Sequence, residues 1–154
     1  MLLTPHTLVG IAVASAIPNI SIAVPLSFGL HFLGDMVPHW DFYSNTTREQ
    51  RLHGWRPLAV MLDMGIGIAF GTAFTLYALW IQKNPYLAVN TFLCGIASVL
   101  PDAITGPSIY TENANGISKL IHKIQSKMQF QAPLPWGIIT QIVISLFSLL
   151  LTIR

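Results

Sequence analysis

Apolar positions fall into five runs, separated by prolines and short polar stretches. The first run, from about Pro5 to Ile17, is expected to be a helix with Thr4 as its cap and Pro5 in its first position. Pro18-Asn19 ends it. The second runs from about Ser21 or Pro25 to Val37. Pro38 stops it, because the residue before a proline avoids the helical region. The third spans about Pro57 to Gln82, the fourth Tyr86 to Leu100 with Pro101 as its end, and the fifth Leu134 to Ile153. A bilayer core takes about 20 apolar residues, which the third run supplies. The first two are short and would form either a re-entrant hairpin or thin crossings. The expected fold is all-α: a single membrane-embedded domain over residues 1–154, a polytopic bundle of about five apolar helices.

Two polar segments interrupt this pattern. Residues 42–56 hold Arg48, Glu49, Arg51, His53 and Arg56. Residues 103–132 hold a loop and then NGISKLIHKIQSKM, where Ile117, Leu120, Ile121, Ile124 and Met128 form one stripe at helical spacing. Lys119, Lys123 and Lys127 form another. This reads as an amphipathic helix on a membrane surface, or as a solvated connector packed on the bundle. If the helices alternate in direction, both segments share one face, and the opposite face keeps only Lys83 and Arg154. The positive-inside rule makes the cation-rich face cytoplasmic.

Composition agrees. Hydrophobic residues make up 53% of the 154 and charged residues 9%, where soluble domains carry about a quarter charged. Mean hydropathy is +0.59. A net charge of +2 is too small to argue for nucleic acid. The single cysteine, Cys94, rules out an internal disulfide framework. No basic residue precedes the first apolar run, so it reads as a retained helix, not a signal peptide. The sequons at Asn19 and Asn45 carry little weight. A weak internal similarity links residues 28–41 with 92–105; both end an apolar run with proline and an ionisable residue.

The chemistry gathers at helix ends. LHFLGDMVPHWDF, residues 30–42, contains His31, Asp35, His39 and Asp41. His31 and Asp35, at i and i+4, lie about 40° apart on one helical face and about 6 Å apart along the axis. His6 opens the first helix, Asp63 follows the start of the third, and Asp102 follows Pro101. His53 and His122 lie in the polar segments. An ionised carboxylate in a membrane helix costs roughly 3 kcal/mol or more. No basic side chain lies inside an apolar run to offset it, so histidines, water or a divalent metal are the available partners. His6, His31, Asp35, Asp63 and Asp102 are the expected ligands. His39, Asp41 and His122 are the expected acid–base or supporting groups. Imidazole plus carboxylate suits zinc, with manganese or ferrous iron as alternatives.

The segments TPHTLVGIAVASAI, HFLGDMVPHWDF and LPDAITGP resemble the YdjM-type family of inner-membrane, metal-dependent hydrolases. The likeness covers roughly the first two thirds of the chain. It implies a polytopic membrane protein with a bound divalent metal and a hydrolytic role, and marks His6, Asp41 and Asp102 as family positions. Two features differ. His39-Trp40-Asp41 stands where many members have Asp-x-Asp-His, and the Gly-His-Arg-Gly-x-Thr-His-Ser segment familiar in the family is absent, Arg51-Leu52-His53-Gly54 being at best a remnant.

The expectation is therefore a metal-dependent hydrolase of the cytoplasmic (inner) membrane, its site facing the cytoplasm. Its partners would be membrane lipid and an anionic or phosphorylated substrate. A reading from another class is a small channel, carrier or assembly subunit whose Asp and His groups bind ions or protons.

Overall fold

A computed structural model of the chain describes residues 1–43, 46–111 and 115–154, without the side chains of 109–111. Asn45 of the second sequon lies outside the described residues. The helices are α1 (Leu3–Ala16), α2 (Ile20–Asp35), α3 (Arg48–Leu52), α4 (Trp55–Leu76), α5 (Pro85–Thr111), α6 (Gly116–Met128) and α7 (Trp136–Thr152). A π-helical turn, Tyr77–Ile81, continues α4. Among the described residues there is no β-strand, only an isolated bridge between His39 and Gln131.

α1 is apolar on every side because it is surrounded: it packs on α2, α4, α5 and α7. Its buried residues run from Pro5 through Ala14 with a single gap at Val9. Val13, Ala14, Ala23 and Cys94 form a small apolar core where α1, α2 and α5 meet. The small side chains let the three backbones approach closely. Gly10 shows how closely: a Cβ there would lie 2.5 Å from the Cys94 carbonyl oxygen and 2.7 Å from Ser98 Oγ. Only glycine permits this α1–α5 contact, one turn beyond His6.

Two helical stretches, Trp55–Ile81 and Pro85–Ser108, are long and apolar enough to cross a membrane. α1, α2 and α7 are shorter, at 14, 16 and 17 residues, so of the five expected apolar helices two are of spanning length. Most of the α4 surface is exposed, with Leu62 64% and Ile68 61% accessible. An exposed apolar surface of this extent marks a membrane or protein interaction surface.

Three local expectations are corrected. α1 begins at Leu3, and the cap residue Leu2 makes no side-chain cap. The carboxylate of Asp63 on α4 does that work, accepting from Leu3 N at 2.6 Å and Thr4 N at 3.2 Å. Pro101 does not end its helix; α5 continues through Pro101 and Pro107. A proline supplies no N–H to the carbonyl four residues back, and in a packed bundle neighbouring groups take up the loosened carbonyls. In α6 the expected apolar stripe is split. Ser118, Ile121 and Gln125 face the protein, while Ile117, Leu120 and Ile124 are exposed.

Candidate metal centre

The turn after α2 and the connector after α6 hold one end of the bundle together. His39 N donates to Phe130 O at 3.0 Å, Ala132 N to His39 O at 2.7 Å, and Phe130 N to Asp35 O at 3.0 Å. Under this seam, α1 contributes His6, α2 contributes His31 and Asp35, α5 contributes Asp102, and α6 contributes Gln125.

His31 is held by its Nδ1–H, which donates to the Ser98 carbonyl at 2.7 Å. That carbonyl lies on α5, three residues before Pro101. A carbonyl can only accept, so the neutral ring carries its proton on Nδ1 and presents a lone pair at Nε2. Metal-binding histidines are commonly fixed in this way, by a carbonyl on the other nitrogen. His31 Nε2 lies 3.5 Å from Asp102 Oδ1 and 3.6 Å from Asp35 Oδ2. The His6 ring stacks on His31 with centroids 4.0 Å apart. His6 Nε2 lies 3.2 Å from Asp35 Oδ1, and Gly34 leaves room for the His6 ring, since a Cβ there would stand 3.3 Å from His6 Cε1.

Burial makes the group costly unless it is compensated. His6, His31 and Asp35 are each 1% exposed. Asp35 Oδ1 accepts from the Met1 amino group, but Asp35 Oδ2 is buried with no hydrogen-bond partner among the described residues. An unsatisfied buried carboxylate oxygen is unfavourable and points to a missing partner. Asp102 is the open member, its side chain 28% exposed.

His6, His31 and Asp102 each offer one ligand atom, and these atoms lie within 4.8 Å of one another. Donors around a tetrahedral ion at about 2.0–2.1 Å stand about 3.3 Å apart, so modest side-chain movement would close the set. Two nitrogens and a carboxylate oxygen suit zinc, manganese or ferrous iron. The residues present therefore fit a divalent cation.

The other expected site residues do not all join this group. Asp35 adjoins it without joining the three. Asp63 stands apart, with both carboxylate oxygens spent on the start of α1. His39 is fully buried; its Nδ1–H donates to Val37 O at 2.8 Å and its Nε2 lies 2.9 Å from the Met1 amino nitrogen. Burial first, and then the neighbouring Met1 amino group, hold its pKa below the ordinary value. Asp41 is buried and accepts from Tyr43 N at 2.7 Å, closing its own turn. His122 is exposed on α6, and His53 is exposed with its Nδ1 near Glu49 O at 3.2 Å.

Three contributors escaped the sequence reading: the Ser98 carbonyl, the Met1 amino group and Gln125. Gln125 Nε2 donates to Asp102 Oδ1 at 2.6 Å and lies 3.1 Å from His31 Nε2. Its only signal is its place with Ser118 and Ile121 on one α6 face, which a solvated glutamine would share.

Compared with family models, curated proteins and solved structures, the chain matches none.

Proposed function

We propose that this chain is a small integral membrane metalloprotein that hydrolyses an anionic ester, a phosphoester or phospholipid, at the His6–His31–Asp102 centre. The observation that carries this reading is His31: its Nδ1–H is tied to Ser98 O while its Nε2 lone pair converges with His6 and Asp102. Zinc is the first candidate and manganese or iron the next. A divalent ion held there would polarise a substrate oxygen and lower the pKa of water.

The remaining work falls to the chain itself. Asp35 orients His6 and balances charge beside the group. His39 Nε2, in contact with the Met1 amino group that also meets Asp35, is placed to take up or pass on a proton. Asp102 marks the mouth, since it alone of the three is partly open. Arg48, Arg51, Arg56, Lys119, Lys123 and Lys127 lie on the segments around this end and favour an anionic substrate or anionic headgroups. The exposed apolar face of α4 supports a membrane setting, with the cation-rich end cytoplasmic. The YdjM-type resemblance likewise implies a membrane protein with a bound divalent metal and a hydrolytic role, and marks His6 and Asp102.

The ion- or proton-relay alternative needs polar groups through the bundle. Among the described residues the buried acids and imidazoles are His6, His31, Asp35, His39 and Asp41, while Ser27, Asn90 and Thr91 elsewhere in the buried interior are neutral, which favours hydrolysis at one end. The test is hydrolysis by purified protein of anionic phospholipid vesicles and of a soluble phosphoester. Activity that a chelator abolishes and added metal restores supports the reading. No turnover of either substrate by metal-loaded protein overturns it.

A further inference from the structure

Gln125 occupies an unusual position for a glutamine. It is 4% exposed, and its carboxamide reaches from α6 into the group contributed by α1, α2 and α5. Its Nε2 stands 2.6 Å from Asp102 Oδ1 and 3.1 Å from His31 Nε2. In the neutral form of His31 the Nδ1 proton leaves that Nε2 an acceptor, and the amide then spends both its N–H groups on two atoms of the candidate ligand set. A cation on those atoms cannot coexist with N–H hydrogens pointing at them.

The same geometry offers the remedy. The spacings of 2.6, 3.1 and 3.5 Å among Gln125, His31 and Asp102 are close to the ~3.3 Å edge of a tetrahedron of donors around one ion. Half a turn about the last side-chain bond puts Oε1 where Nε2 now stands. With no cation that orientation is repulsive, because three acceptors would face one another. Around a cation it is favourable, and the side-chain carbonyl becomes a ligand. No helix needs to move.

Resting on the metalloprotein reading above, we propose that Gln125 is the fourth protein ligand, its amide turning from N–H donor to Oε1 donor when a divalent ion binds. The centre then draws its donors from four helices, one of them the surface helix α6. Metal binding pins α6 to the bundle. The α6 exterior carries Ile117, Leu120 and Ile124 on one flank and Lys119, Lys123 and Lys127 on another, so the helix that completes the centre also presents a lipid-facing surface. A carbonyl ligand shifts the set toward harder ions, favouring manganese or iron relative to a centre of imidazole and carboxylate alone.

The experiment is titration of full-length protein with Mn²⁺ and Co²⁺, following affinity, the visible cobalt spectrum and amide hydrogen exchange across Gly116–Met128. In wild type, metal should slow exchange in α6. Gln125→Ala should weaken binding about tenfold or more and change the cobalt bands. Gln125→Glu should bind at least as tightly as wild type. Ser118→Ala, which removes only the Ser118–Ser108 hydroxyl contact, should match wild type. If wild type binds metal but Gln125→Ala binds equally or more tightly, Gln125 is a plug and the inference fails alone. Should Gln125→Ala not fold, unchanged α6 exchange in metal-loaded wild type, or weaker binding by Gln125→Glu, overturns it. No binding by wild type removes the metalloprotein reading and this inference together.

Discussion

His31 Nδ1 and the Ser98 carbonyl lie 2.7 Å apart, and this one hydrogen bond decides which ring nitrogen faces Asp102. The carbonyl belongs to α5, three residues before Pro101. A proline in mid-helix is usually a cost of about 3 kcal/mol. Here it leaves the carbonyl of Ala97 without its intrahelical donor, next to the Ser98 carbonyl that orients a candidate ligand.

Pro101→Ala should therefore separate stability from metal binding. Alanine returns an N–H to the Ala97 carbonyl and regularises the turn that carries Ser98 O, so thermal stability in detergent should hold or rise. Metal affinity should fall about tenfold, the scale expected when a ligand loses its orienting partner. Paired melting curves and metal titrations check both halves.

Gly10 and Gly29 make an internal contrast. At Gly10 a methyl would meet the Cys94 carbonyl and Ser98, whereas at Gly29 nothing lies within 4 Å. Gly10→Ala should cost about 1–3 kcal/mol by overpacking and displace His6, lowering metal affinity as well. Gly29→Ala should be neutral or stabilising by up to about 1 kcal/mol. Denaturation in mild detergent distinguishes them.

Asp63 tests the line between capping and ligation. Asp63→Ala should destabilise the protein by about 1–2 kcal/mol, as loss of a helix cap does. Metal content in the folded fraction should be unchanged. A loss of metal with no loss of stability would return Asp63 to the ligand set.

How far the site was legible follows from the same residues. The helices and their rough limits show in the apolar runs, and His6, His31 and Asp102 stand out because ionisable groups are scarce. Asp63 misled because position along a helix does not reveal what the side chain meets across it; the start of α1 took both oxygens. Pro101 misled because the helix-stopping rule is local, while the packing that holds α5 in place comes from α1 and α2. Gln125 was hidden for the opposite reason: an amide on an amphipathic helix looks solvated until the fold turns that face inward.

His39 gives the chain a pH dependence. Its folded pKa lies below the ordinary 6.5, so the unfolded chain binds the proton more readily. Its contribution is present above pH ~6.5 and declines as the pH falls below that value. Melting temperature should therefore drop on acidification from neutral pH, and His39→Gln should flatten that drop. A wild-type slope retained in His39→Gln would remove His39 as the cause.

The most direct test is elemental analysis of gently extracted full-length protein beside its His31→Ala variant, after exposure to zinc, manganese and iron. Wild type should hold about one divalent ion per chain and His31→Ala little, with both proteins folded. Folded wild type without a stoichiometric ion, or a variant that retains it, would contradict a His6–His31–Asp102 metal centre.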